Sequence, residues 1–420
     1  MEVKIDKLDN LGRGITYINN KICFIPNVLP NEIVEIEITK ENKKYYEAKC
    51  ISIKETSPFR ITEECPYSRI CGGCQLNHLC YNEENRFKTN KLRDLLFKYA
   101  HIEKDIIEPI KYQERNYYRN KITLHGNDEK LGIYGIKTND IIPIQECLLV
   151  NKKINEIIKY LIKNNINIEE AIIKSSNDED KIMISIHGEI NNKEELISKC
   201  DVVIINGEYL SNEKRIITNI NKIQYQESKD SFFQINKTLP EELYEEIKNS
   251  LKEKDINNAL DLYCGTGSIT IYISDYCKKI IGIDYNKSNI EDAIINKELN
   301  QKDNIDFICD KVENRIDSFT DIDLIIVDQP RSGLDKKTID NIIKIAPKQI
   351  IYVSCEPITL ARDLNSLQEL YKVIKVKPFN MFPRTYHCES ITVLERRYKI
   401  WLLIIKKNIK NFICLKINQV

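Results

Sequence analysis

Two hydrophobic patterns divide the chain near residue 239. Upstream, apolar and polar positions alternate in short runs, as in Val34-Glu35-Ile36-Glu37-Ile38, Lys121 to Leu124, Ile172 to Lys174, Ile182 to Ile186 and Val202 to Ile205. A period of two predicts half-buried strands, mostly antiparallel, with one helix near Asn151 to Asn164. Downstream, a helix over Pro240 to Leu251 opens an alternation of helices with apolar runs: Asn258 to Leu262, Lys279 to Ile283, Ile305 to Ile308, Asp323 to Val327, Ile350 to Val353 and Ile391 to Leu394. Such runs predict a parallel sheet covered on both faces, with ligands at the C-terminal ends of its strands. The predicted class is α/β plus β. Residues 1–58 make a small OB-like barrel, 59–238 a mostly antiparallel β domain and 239–398 a Rossmann-like domain; the tail 399–420 is assigned no role.

With 63 Lys+Arg against 63 Asp+Glu in 420 residues, any surface for nucleic acid must come from local clustering of charge. The charged start Met1-Glu2-Val3-Lys4 does not read as a signal peptide, and the apolar run Trp401 to Ile405 is too short to span a bilayer. A cytoplasmic protein without membrane contact is expected. In that setting fourteen cysteines argue for metal or catalytic use of some of them rather than a disulfide framework.

Five stretches carry candidate chemistry. Ile350-Ile351-Tyr352-Val353-Ser354-Cys355-Glu356-Pro357 puts Cys355 where a buried strand gives way to a helix with Pro357 at its first position, and a helix N-terminus favours thiolate. Cys65, Cys71 and Cys74 fall within ten residues and can wrap one metal centre, with Cys147 as the fourth thiolate and Cys80 as its local competitor; zinc and iron-sulfur both suit such a set. Arg115-Asn116-Tyr117-Tyr118-Arg119-Asn120-Lys121 interleaves cations with rings, which suits phosphates and unpaired bases, although a solvated sheet face reads equally well. Finally, Asp261-Leu262-Tyr263-Cys264-Gly265-Thr266-Gly267 is a strand followed by a glycine turn, with Asp284 about twenty residues on to accept from a ribose diol. The turn lacks a third glycine, which favours adenosylmethionine over NAD. His387 and Glu389 share a face if extended, and either can serve as a base.

These pieces resemble a known family. Gly12-Arg13-Gly14, Phe24-Ile25-Pro26 and Leu29-Pro30-Asn31-Glu32 are similar to a TRAM domain, an RNA-binding barrel. Phe232-Phe233-Gln234-Ile235-Asn236, Asp328-Gln329-Pro330-Arg331-Ser332-Gly333, Ser354-Cys355-Glu356-Pro357 and His387-Cys388-Glu389, with the cysteine set and the glycine turn, resemble the RNA uracil-5-methyltransferase family in its TRAM-containing iron-sulfur branch, over roughly residues 1 to 398. That resemblance implies a class I methyltransferase domain in which Gln234, Tyr263, Asp284, Asp310 and Asp328 line an S-adenosyl-L-methionine site. It further implies Cys355 as nucleophile, Glu389 as proton acceptor and a [4Fe-4S] cluster on Cys65, Cys71, Cys74 and Cys147.

The implied reaction makes 5-methyluridine, with 23S rRNA as the expected partner of a monomeric enzyme and a tRNA T-loop uridine as the alternative. Two positions depart from the family pattern: Gln329 stands where a second proline is usual and Glu356 where an asparagine is usual, and a carboxylate beside Cys355 would oppose thiolate formation unless turned away or paired. Arg331 occupies the place where cytosine-5-methyltransferases carry a cysteine, which disfavours that reading. A non-catalytic RNA-binding iron-sulfur protein leaves Cys355 and Glu389 unexplained, and a small-molecule methyltransferase leaves the barrel unexplained.

Overall fold

The computed structural model describes residues 1–127, 129–231, 233–252 and 256–397. Phe232, the run Trp401 to Ile405 and the tail 399–420 lie outside the described residues. Three large sheets follow one another along the chain. The first has six strands between Glu2 and Glu55, antiparallel except where Lys21–Ile25 runs parallel to Tyr45–Glu55. Alternation in Ile33–Glu41 turns Val34 and Ile36 onto a core with Ile5, Cys23, Ile25 and Val28. Packing there is close enough to require Gly14, because a Cβ would stand 2.3 Å from Val28 Cγ2.

The second sheet has seven strands, ordered Glu208–Tyr209, Val202–Ile205, Ile182–Ile190, Asn165–Ser175, Lys121–Gly126, Leu131–Tyr134, Ile141–Pro143. Only Ile182–Ile190 with Val202–Ile205 is parallel. Helix Lys152–Asn164 covers it, starting where Asn151 Oδ1 accepts from Ile154 N at 2.9 Å and presenting Ile154, Ile157, Ile158 and Leu161 to the core.

The third sheet is ordered Ile305–Cys309, Cys277–Asp284, Ile256–Leu262, Leu324–Asp328, Gln349–Ser354, Glu389–Arg396, Tyr371–Phe379. Its first five strands are parallel and its last two antiparallel. Apolar cores cover both faces, so these strands read as continuous hydrophobic runs. Among the described residues no helix is long and apolar enough to cross a membrane.

Helix Tyr81–Ala100 was not legible in the pattern. It packs on helix Pro357–Leu367, placing Leu92, Leu96 and Ala100 in the core of the third sheet. The signal is weak because its buried side also carries Glu84, Asn85, Lys88 and Lys91. Lys88 is fully buried against Glu84 at 2.9 Å and donates to Asn380 Oδ1 at 2.6 Å and to the Phe382 carbonyl at 2.9 Å. Polar residues on the inside of a helix blur its amphipathic stripe.

Removing one partner of a buried pair strands the other charge. Lys88→Met is expected to destabilise the protein by about 3–5 kcal/mol, seen as a lowered Tm, and Glu84→Gln in that background should restore part of the loss.

Candidate active site

Strand order in the third sheet reverses between Ile256–Leu262 and Leu324–Asp328, the kind of point at which open α/β sheets bind ligands. The glycine turn sits there. Tyr263 follows its strand with φ +64, a left-handed conformation rare for a large side chain, and burial pushes its hydroxyl up to about 12. Gly267 has φ +74, and a Cβ on it would meet the Phe307 ring at 2.5 Å. Asp284, ending the next strand, holds the turn by accepting from Gly265 N at 3.1 Å and from Asn286 N at 2.8 Å. Asp310 donates its backbone N–H to the Asp284 carbonyl at 3.0 Å, while its carboxylate accepts from Lys311 N and Arg315 Nε. Tyr263, Asp284, Asp310 and Asp328 thus come to one edge of the sheet. Gln234 is buried outside the sheet, its carbonyl accepting from Asn120 Nδ2 at 3.0 Å.

Cys355 and Glu389 meet through strand register. Val353 pairs with Ile391 and Ser354 with Ser390, so one further step sets Cys355 opposite Glu389. Asp328 pairs with Val353 on the other side. Burial pushes the Cys355 thiol up to about 12; Glu389 and Asp328 add to the shift, while Arg331 opposes it by charge and by a hydrogen bond. Burial likewise holds Glu389 well above the carboxylate range, with Asp328 raising it further and Arg331 again opposing, and Asp328 is pushed up to about 7. In the free protein desolvation and two neighbouring carboxyl groups oppose the help that a helix end gives this thiol. Sequence reasoning also missed Arg331 as the cation of the site, having used it only to separate two families.

Glu356 is turned away from the thiol. Its Oε1 accepts from Ile358 N at 3.3 Å, capping helix Pro357–Leu367. Gln329 is buried, and neither amide atom has a hydrogen-bond partner among the described residues. His387 is driven down to about 4, first by burial and then by Arg331 and Lys91, so its ring is neutral near pH 7. Thr359, Arg362 and Asp363 hold the loop carrying Arg331: Thr359 Oγ1 donates to the Arg331 carbonyl, Arg362 Nη2 to those of Ser332 and Leu334, and Asp363 Oδ2 accepts from Leu334 N at 2.7 Å.

Cys65, Cys71, Cys74 and Cys147 line one cavity of about 330 Å³ with Tyr67, Asn77, Arg119 and Arg384. Cys80 instead precedes helix Tyr81–Ala100. Burial raises the thiols of Cys71, Cys74 and Cys147, and Cys71 and Cys74 are each pushed up further by their neighbours Cys147 and Cys65. Among the described residues no group of three His, Cys, Asp or Glu is disposed to hold a metal ion. The thiols surround a space rather than converge on a point.

Part of the basic and aromatic segment braces the protein from within, while Arg115, Asn116, Tyr117, Arg119 and Lys121 stay partly exposed. Tyr118 is buried and donates from its hydroxyl to the Pro383 carbonyl at 3.0 Å, Asn120 is buried, and Arg115 Nη2 donates to the carbonyls of Leu76 and Leu79. Arg115 and Tyr118 are thus spent on the protein's own backbone.

The raised value at Asp328 carries a stability consequence. Burial lifts it from 3.8 to about 7, so the ligand-free fold has the full benefit of the neutral acid below about pH 4 and loses it as pH rises towards 7. Ligand-free Asp328→Asn is expected to melt near the wild-type temperature at the acid end of this window and above it at its neutral end.

The profile of the TRAM domain matches residues 1–51, and that of tRNA (Uracil-5-)-methyltransferase matches residues 193–397. An uncharacterized RNA methyltransferase of Clostridium tetani is 32% identical over 429 residues, covering 91% of this chain and 93% of that protein. Another, from Aquifex aeolicus, is 32% identical over 421 residues, covering 94% and 98%. The fold is shared with the crystal structure of Pyrococcus abyssi tRNA (uracil-54, C5)-methyltransferase in complex with S-adenosyl-L-homocysteine, at a TM-score of 0.78 and 23% identity over 94% of this chain and 100% of that one. Similarity to the two bacterial proteins runs from the first sheet through the third, and on that extent the chain belongs to the TRAM-containing RNA uracil-5-methyltransferase family and is an RNA methyltransferase.

Proposed function

We propose that the protein methylates C5 of a uridine in 23S rRNA, using S-adenosyl-L-methionine, through a covalent bond between Cys355 and uracil C6. The observation that carries this reading is the register that sets Cys355 opposite Glu389 at the ligand-binding edge of the sheet. Uracil C5 is a poor nucleophile, and attack of the Cys355 thiolate on C6 moves electron density onto C5 and O4. Bound adenosylmethionine supplies the electrophilic methyl group, with Tyr263, Asp284, Asp310, Asp328 and Gln234 as its expected contacts. C5 takes that methyl, Glu389 removes the C5 proton, and the pair left behind restores the C5–C6 double bond and expels the Cys355 thiolate.

Charge order supports these roles. Glu389 raises the cost of ionising Cys355, so both are not negative cheaply. Converting Cys355 into a neutral thioether keeps a second charge away from Glu389 at the step that needs a base.

The four thiols fit a four-iron cluster better than a single ion. They share a cavity without forming a closed ligand set, and a cluster fills volume that one ion does not. Cys65, Cys71, Cys74 and Cys147 would hold a [4Fe-4S] group whose contribution is to tie segments of the fold together, since addition and elimination transfer no net electron. A tRNA T-loop uridine is the second reading, favoured by the profile matched at residues 193–397 and by the substrate named for the Pyrococcus abyssi protein.

Purified enzyme with labelled adenosylmethionine and total RNA lacking the modification should yield labelled 5-methyluridine in 23S rRNA; label confined to tRNA selects the second reading. Cys355→Ala should form neither adduct nor product. Glu389→Gln is expected to form a denaturant-stable protein–RNA adduct but release product about 10²–10⁴ times more slowly. Because the free thiol sits near 12, the single-turnover rate of adduct formation should rise with pH through the neutral range, by up to about tenfold per unit.

A further inference from the structure

Arg384 is the largest of the fully buried side chains and lies five positions before Glu389. Its backbone is left-handed, at φ +67. The guanidinium reaches back to the cysteine segment: Nη1 donates to Asn77 Oδ1 at 2.9 Å, Nη2 to Glu64 Oε2 at 2.7 Å and Nε to Asn116 Oδ1 at 3.0 Å. Its backbone is held as well, with the carbonyl accepting from Gln75 N and Leu76 N and the N–H donating to Glu84 Oε1 at 2.9 Å. The same residue lines the four-cysteine cavity. Beyond it the chain has little freedom: Lys91 Nζ donates to the Tyr386 carbonyl at 3.0 Å, His387 N to Thr385 Oγ1, and Cys388 is buried before Glu389 enters its strand.

A planar fork fixed at three points determines direction as well as distance. We propose that Arg384 is a positioning residue through which the cysteine segment sets Glu389 against the covalent intermediate, so that this segment governs proton removal and product release and not the attack by Cys355. Cys355 lies between strand Gln349–Ser354 and helix Pro357–Leu367, neither of which receives a hydrogen bond from the Arg384 guanidinium. Glu389 begins its strand at the end of the loop that Arg384 anchors. The proposal rests on the assignment of Glu389 as the base.

Arg384→Lys and Asn77→Ala test it in the full-length, iron-loaded protein. Asn77 bonds the guanidinium but not the base loop's backbone or the reacting residues; because it also lines the four-cysteine cavity, iron content separates an effect on the anchor from one on the cavity should Arg384→Lys fail to fold. Single-turnover reactions with labelled RNA are quenched into denaturant, and formation and decay of the protein-bound RNA band are followed separately alongside iron content and Tm. The expected result is adduct formation within about threefold of wild type, with decay slowed by up to about a hundredfold, at unchanged iron content. Formation and decay slowing in parallel, or neither changing in both variants, overturns the proposal. Absence of adduct in wild type, with Cys355→Ala still methylating RNA, removes instead the assignment on which it rests.

Discussion

Three acidic groups share one desolvated corner of the third sheet. Cys355, Glu389 and Asp328 lie at the ends of neighbouring strands, and Arg331 is the cation that opposes the shifts at both Cys355 and Glu389. No folded arrangement of these residues alone can carry three negative charges there at low cost, so the free protein holds its thiol and carboxyl protons tightly. The arrangement opposes simultaneous charge on the thiol and the two carboxyl groups. The sheet is built to enforce the contact, because a purely parallel array would not bring a strand start against a strand end. Inserting Glu389–Arg396 antiparallel beside Gln349–Ser354 does so.

Residues whose chemistry agrees with their setting were legible in the sequence. Apolar runs ending in Asp, Cys or Gly marked the strands of the third sheet and the edge where their chemistry collects, and four cysteines announced a shared site before any fold was known. Residues whose setting contradicts their type were not. Lys88, Arg115 and Arg384 look like surface cations in sequence and are interior braces in the fold, because each finds carbonyls, amides or a carboxylate that no linear pattern reveals. Helix Tyr81–Ala100 was hidden for the same reason, since its inward side is partly polar. Glu356 was the reverse case: a carboxylate that proximity makes suspect is harmless because the helix it caps gives it a donor.

Buried charge of this kind stabilises poorly compared with apolar packing, and its use here calls for a reason other than stability. A core of leucine and isoleucine tolerates small slips, whereas a guanidinium bonded at three points does not. The loop from Met381 to Cys388 is held by Lys88, Lys91 and Glu84 on one side and by Asn77, Glu64 and Asn116 on the other, and it leads into the residue set opposite Cys355. Proton removal from carbon needs its acceptor placed to a fraction of an ångström, while thiolate attack is steered by the strand that already carries the cysteine. The costly polar interior therefore lies between the four-cysteine cavity and Glu389, the proposed base, where directional precision would have most effect.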